Sequence, residues 1–478
     1  MLPRTRVIFK TDNEAVKRLY DEAEAKCLKN LNDFAGRTVL VEGGGYVKIW
    51  LETQPMGGEM YAKRNMEAAL NNQLFFMETQ RGDGRLAGSI ENKGNGQIEA
   101  QFNKFQGFCF PFPALNMYYW IGKDERYLRM LLRTLQKFDE YLWKTRDSNG
   151  DGILESFCVY DTGEDNAVRY GDAPNYCTED FPTENSRIVP MASMDIMSFS
   201  YAARDTLSEI SRILKDGREE YWKNEARKVA DKIRSELWNE EIGACFDKDK
   251  FGNVIPVLTH NSLRCMYWGS FSQEMADRFV NEHLLNANEF WTYFPLPSVA
   301  ANDPAFKNAP ENNWSGQSEG LTYQRAIMAL ERYGYESIVT KLGKKLIENV
   351  IKNHYVFTQQ YDPFTGKASR VSPVTKEPIP EGSDEEGQDA YGPTLLSVLE
   401  YIAHIWGVHM HKGEIWFSLA GGLSYSYSQT WGENEYAIES DGKRARIFIN
   451  GVLHHTSPVG VRLITDENGN LLRTRAIE

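Results

Sequence analysis

Apolar residues recur at helical spacing through most of the chain and change to strand-like alternation near its end. The first helical stretch runs from Asp12 to about Phe34, with Thr11 or Asp12 as its cap and Gly36 after its end. Further stretches cover 61–80, 113–121, 124–145, 191–214, 219–238, 272–283, 320–333, 336–353 and 388–406. Most come in pairs joined by a short turn, with a long Gly-, Pro- and aromatic-rich connection before the next pair. Helical hairpins joined in this way accumulate into a ring. The hairpins share no legible sequence repeat, which argues against a solenoid of the ankyrin or tetratricopeptide kind.

After Gly413 the period falls to two. Glu414–Leu419, Leu423–Trp431, Glu435–Glu439, Arg444–Ile449 and Val459–Thr465 alternate apolar and polar residues, separated by the turn dipeptides Asp441-Gly442, Asn450-Gly451 and Asn468-Gly469. The pattern predicts an all-α main domain over 1–411, a toroid of helical hairpins, and a small antiparallel β module over 412–478 at the C-terminus.

Composition narrows the function. The net charge is −13, and no Lys/Arg run stands out, so a nucleic-acid partner is not indicated. A neutral or basic small molecule is the expected partner, and aromatic residues, 12% of the chain, suit stacking on flat apolar faces such as those of sugar rings. No apolar run is long enough for a membrane helix, and Met1–Arg6 lacks a signal-peptide core, so a soluble, cytoplasmic protein is expected. Six scattered cysteines without CxxC spacing and only eight histidines give no metal framework, and free buried thiols are the default.

The chemistry-bearing stretch is Asp161-Thr162-Gly163-Glu164-Asp165-Asn166-Ala167-Val168-Arg169-Tyr170. Three carboxylates in five residues repel one another, and like-charge repulsion keeps at least one of them protonated for use as an acid. A glycosidase needs such an acid on one side of the scissile bond, and a base or nucleophile on the other. Upstream, Asp147-Ser148-Asn149-Gly150-Asp151-Gly152 has the opening of a calcium loop, with Asp147, Asn149 and Asp151 as candidate ligands, but Cys158 stands where the loop's closing Glu belongs. An Asn-Gly-Asp-Gly turn ending a helix is the plainer reading. Glu42-Gly43-Gly44-Gly45-Tyr46 lacks the Lys-Ser/Thr of a phosphate loop and is expected to be a flexible turn.

The stretch from Asp161 to Tyr170 resembles the general-acid segment of the inverting α-glycosidases typified by trehalase, processing α-glucosidase I and bacterial mannosylglycerate hydrolase. In the same order come Phe290–Ala300, Trp314-Ser315-Gly316-Gln317, Arg332-Tyr333-Gly334-Tyr335 and Tyr361-Asp362-Pro363-Phe364-Thr365-Gly366, each similar to a segment of that family. The resemblance covers about residues 40 to 410. It implies the six-hairpin toroid, hydrolysis of an α-linked glucoside, mannoside or related sugar with inversion, and Asp165 as general acid. It also implies a polar pair at Arg64 and Asn65 holding sugar hydroxyls.

Two departures stand out. Glu164 replaces the family's Trp, and Gln359 replaces its catalytic Glu. A neutral amide cannot take a proton from water, so the base is sought elsewhere: at Glu319, which starts a helix where the macrodipole favours a carboxylate, or at Glu381, Glu385 or Glu386 in a loop that could close over the site. Glu319 is the preferred candidate. The expected sugar subsite is then lined by Trp50, Tyr61, Arg64, Arg169, Trp291, Trp314 and Gln359, with Glu52, Asn65, Gln360 and Glu386 beside them. Two alternatives remain open: a carbohydrate-binding protein that kept the barrel and lost its base, and a lyase or isomerase using His or Tyr.

Overall fold

A computed structural model describes residues 2–311 and 314–478. Its α-helices are α1 (Glu14–Lys29), α2 (Gln54–Tyr61), α3 (Met66–Glu78), α4 (Pro111–Trp120), α5 (Glu125–Thr145), α6 (Met194–Leu214), α7 (Glu219–Glu236), α8 (Asn261–Trp268), α9 (Gln273–Phe279), α10 (Gly320–Glu331), α11 (Glu336–Lys352) and α12 (Gly392–Trp406). The even-numbered helices form an inner ring in which each touches the next and α12 returns to α2. The odd-numbered helices pack outside them, completing an (α/α)6 toroid.

Side-chain pattern separates the two rings. Every residue of α2, α4, α8 and α12 is buried, so these helices carry no polar face. The outer α5, α7 and α11 bury one stripe and expose charged residues on the other side. Gly57 lets α2 nest against α12, since a Cβ there would come within 2.8 Å of Leu396 Cδ1.

Two of the inner helices, α2 and α8, were not expected from periodicity. At 8 residues each and buried on all sides, they have neither the length nor the polar face to show one. The expected start of α1 also shifts. Asn13, rather than Thr11 or Asp12, caps it by accepting from the Ala15 and Val16 amides, because the chain just before it is a strand, Thr5–Thr11.

That strand belongs to the β module. It heads a five-stranded antiparallel sheet, pairing in turn with Tyr425–Trp431, Asn434–Ser440, Arg444–Ile449 and Val452–Pro458. A four-stranded sheet of Val408–His411, Glu414–Leu419, Val461–Thr465 and Leu471–Ala476 accompanies it. The module thus takes in residues from both ends of the chain, and a boundary at 412 falls between two paired strands. It covers the ring end where the inner helices finish: Trp431 donates to the carbonyl of Trp120, the last residue of α4, at 3.0 Å. The loops that enter the inner helices lie at the other end. Six buried cysteines are all free thiols. No helix among the described residues is long and apolar enough to cross a membrane.

Candidate active site

At the loop end a cavity of about 120 Å³ is walled by the segments that precede inner helices. Glu42, Tyr46, Trp50 and Glu52 precede α2; Lys104 and Gln106 precede α4; Tyr160, Gly163, Asp165 and Tyr176 precede α6. Trp314 precedes α10, and Gln359 and Tyr391 precede α12. Helix N-termini therefore converge beneath the cavity, and their partial positive charge favours carboxylates there.

The loop before α6 is built on buried ion pairs. Asp161 accepts from Arg146 at 2.5 Å and from the amides of Phe105 and Phe157. Burial alone would raise this carboxyl, but Arg146 outweighs it and holds the group below its ordinary range. Glu164 is tied to Arg169, to Arg264 at 3.0 Å and to His260 at 2.7 Å. Against the cost of burial, Arg264 and Arg169 keep it ionised, well below a usual glutamate. The residue that departs from the family's Trp is therefore an anchor of the loop, not a face of the cavity.

Asp165 projects from this anchored loop to the cavity wall, partly exposed, with its backbone carbonyl accepting from Trp314 at 3.2 Å. Asn166 follows in a left-handed conformation with φ 59°, which turns the chain back. Gly163 has φ 76°, and a Cβ there would run into the carboxylate oxygens of Glu52. Only glycine allows the loop to lie against that carboxyl. Glu52 is also paired with Arg325. Burial raises Glu52, the two arginines Arg325 and Arg264 lower it, and it settles at about 7.

The opposite wall was not legible in the sequence. Glu42 accepts from the Tyr391 hydroxyl at 2.9 Å. Burial, and then the nearby Glu52, push it up to about 8. Tyr46 stands edge-on to Tyr391 at 6.2 Å and donates to Gln359 Oε1 at 3.1 Å. Between the walls, the buried Lys104 ammonium lies 5.3 Å from the Trp50 ring and 4.9 Å from that of Tyr176, and burial lowers it to about 8. The Glu-Gly-Gly-Gly-Tyr segment expected to be a flexible turn is thus part of the cavity wall, held by an antiparallel bridge from Gly43 to Tyr391.

Of the expected site residues, Asp165, Trp50, Glu52, Trp314 and Gln359 meet at this cavity. Others do not. Tyr61, Arg64 and Asn65 sit at or beyond the far end of α2, about 12 Å along the helix axis from its start. There Arg64 is bound by both oxygens of Glu24, and Asn65 caps α3. Arg169 is consumed by Glu164, Asp195 and Asp247. Trp291 packs against the core in a turn closed on Asn286. Gln360 holds the Pro310 and Glu311 carbonyls, fixing the path towards Trp314. Glu386 is exposed in its loop and does not reach the wall.

Glu319 is the main correction. It is fully buried and does not line the cavity. Neither carboxyl oxygen has a hydrogen-bond partner among the described residues. Burial, reinforced by Glu52, Asp165 and Glu164, pushes it well above the carboxylate range. With no face on the cavity, it does not meet a water held against a sugar there. At the calcium-like turn, Asp147 accepts from Gly152, and the Asn149 amide donates to Asp151 at 2.9 Å. The loop's oxygens are engaged in hydrogen bonds within the turn itself.

Residues 51–384 match the family described as the mannosylglycerate hydrolase MGH1-like glycoside hydrolase domain. The chain belongs to that family. This glycoside hydrolase also resembles solved structures at low identity. A GH63 mannosylglycerate hydrolase from Thermus thermophilus in complex with glucose aligns with TM-score 0.61 at 17% identity, covering 80% of this chain and 99% of that one. Neutral trehalase Nth1 from Saccharomyces cerevisiae aligns with TM-score 0.56 at 13% identity, over 79% and 74%. An α-L-rhamnosidase from Dictyoglumus thermophilum aligns with TM-score 0.60 at 14% identity, over 96% and 45%. No curated protein sequence matches the chain. At these identities the structures establish the shared toroid, while the family match establishes the hydrolase class and its carbohydrate substrate.

Proposed function

We propose that this glycoside hydrolase cleaves an α-linked glucoside, mannoside or related sugar with inversion, and that Asp165 is its general acid. The observation that carries the reading is the placement of Asp165 on the wall of an aromatic-lined cavity, beside the Glu52 carboxyl and on a loop fixed by buried ion pairs. Trp50, Tyr46 and Trp314 supply flat faces for a sugar ring. The Trp50 indole N–H is buried with no partner among the described residues, leaving a donor for a sugar hydroxyl.

Asp165→Asn tests the role of the acid. The variant is expected to lose about 10²–10⁴-fold in kcat on an α-linked disaccharide, the usual contribution of a general acid. It should lose much less on 4-nitrophenyl α-glycosides, whose leaving group needs no proton. Full retention on the disaccharide refutes the assignment.

Gln359 at the place of the family's base favours a second reading, a sugar-binding protein without turnover. Calorimetric binding of a sugar with no product from the wild-type protein would decide for it. For the lyase or isomerase reading, His260 is bonded to Glu164 off the cavity wall, whereas Tyr46, Tyr160, Tyr176 and Tyr391 line it, and a product with an unsaturated or isomerised ring, seen by NMR, would decide for it.

A further inference from the structure

The inner helices α6 and α12 stand on opposite sides of the six-membered ring. Asp165 enters the cavity from the loop before α6. Tyr391 immediately precedes α12, and Glu42 is fastened to this side twice over: its side chain accepts from the Tyr391 hydroxyl at 2.9 Å, and its backbone carbonyl accepts from the Gly392 amide at 2.6 Å. Gln359 belongs to the same wall, since Tyr46, the edge-on neighbour of Tyr391, donates to its side-chain oxygen. A carboxyl and the amide at the family's base position therefore share one wall, facing Asp165 across the cavity.

Among the described residues no other carboxyl has this placement. Glu52 lies against Gly163, on the loop that carries Asp165, and is neutralised by Arg325. Glu319 is beneath the wall. Glu381, Glu385 and Glu386 are exposed in their loop.

We propose that Glu42 is the general base of this enzyme, displaced from position 359 to the neighbouring segment of the same wall, next to the Gly43–Tyr391 bridge. The proposal rests on the inverting-hydrolase reading above. Water lies between Glu42 and the anomeric carbon, with the Gln359 amide as a second contact. As the water oxygen bonds to that carbon, the bond to the leaving oxygen breaks and its electron pair stays on that oxygen, which takes the proton of Asp165. The proton released by the attacking water passes to Glu42. Solvent then returns both carboxyls to their starting states.

The groups facing Glu42 set its titration. Burial raises it most, Glu52 and Asp165 raise it further, and the Tyr391 hydroxyl and the Lys376 ammonium lower it, leaving it at about 8. Lys376 is itself fixed on the Gly44 and Pro373 carbonyls, over the ring of Tyr46. A base must be ionised, so the rate should climb with pH toward about 8.

The test compares Glu42→Gln, Glu319→Gln and Asp165→Asn on an α-linked disaccharide and on 4-nitrophenyl α-glucoside and α-mannoside. Glu42→Gln keeps the acceptor for Tyr391, and circular dichroism checks its fold. It should lose about 10²–10⁴-fold on the disaccharide and on the aryl glycosides alike, because the attacking water is needed whatever departs. The double variant Glu42→Gln, Gln359→Glu should recover part of that loss. Glu42→Asp, which keeps a carboxylate but draws it back by one methylene, is the second variant: full activity of a folded Glu42→Asp on the disaccharide overturns the proposal even if Glu42→Gln fails to fold. Activity of Glu42→Gln within about threefold of wild type, with Asp165→Asn impaired on the disaccharide, removes Glu42 and keeps the hydrolase. Loss in Glu319→Gln with Glu42→Gln active also removes it. Both Glu42→Gln and Asp165→Asn fully active on the disaccharide refutes the underlying reading as well.

Discussion

The two ends of the toroid both bury charged groups and treat them in opposite ways. At the end covered by the β module, a cavity of about 290 Å³ is lined by His404, His409, His411, Glu331, Glu400 and other polar groups. There nearly every charge has its counterpart. Lys63 reaches Glu400 at 2.6 Å, and Glu331 binds Arg462 at 2.6 Å and His404 at 2.8 Å. Glu400, His404 and His409 come close enough together to hold a metal ion, but the Lys63 ammonium already fills that position, 3.2 Å from His409 Nδ1. At the loop end, Glu42 and Glu319 form no ion pair with an arginine or lysine among the described residues, and both are driven towards the neutral form. Compensated charge fixes a structure, whereas uncompensated carboxyls with raised pKa are the groups poised to exchange protons in a reaction.

The largest effect that tests this contrast is on stability. Lys63→Met leaves Glu400 buried without its partner and should cost about 3–5 kcal/mol, as breaking a buried ion pair does. Urea denaturation measures it, and kcat per folded molecule should be unchanged. A loss of activity without a loss of stability would place a working group at the wrong end.

Gly163→Ala comes next. It forces φ 76° on a residue with a Cβ and pushes that atom into the Glu52 carboxyl. Strain of about 1–3 kcal/mol is expected, together with a fall in kcat/KM of about tenfold or more as Asp165 is displaced. Unchanged kinetics would mean that the loop is not held by this contact.

The smallest effect is the direction of pH dependence. Glu331, although buried, is held at about 2 by Arg462 and His404. Its folded value lies below the ordinary 4.5, so its stabilisation is present above 4.5 and is lost as pH falls towards 2. Glu42 has the opposite sign. Its folded value lies above 4.5, so its contribution is present below 4.5 and is lost as pH rises through about 8. Thermal melts should therefore find Glu42→Gln more stable than wild type at about pH 9 but not at about pH 4, and Glu331→Gln less stable at about pH 7 but not at about pH 2. The same sign for both would erase the distinction between the two ends.

How far the sequence revealed this arrangement depended on where each signal resides. Amphipathic outer helices such as α5 and α11 show their period openly, and the hairpins of the β module announce their turns. The inner α2 and α8, at 8 residues each and without a polar face, are too short to show a period. The strand Thr5–Thr11 finds its partner at the far end of the chain, in Tyr425–Trp431, which no local pattern reveals. Asp165 was legible because it sits in a segment with a recognisable order. Arg64 was misplaced because its polar neighbourhood was read without the helix that carries it to the other end. Glu42 was missed because three glycines look like a loose turn, and only Tyr391, 349 residues further on, makes it a wall.

The most direct test is the anomer first released from an α-linked disaccharide, followed by NMR before mutarotation. Carboxyls facing each other across the cavity, with water between the base and the sugar, predict β-sugar as the first product. First-formed α-sugar would mean retention and would contradict the account.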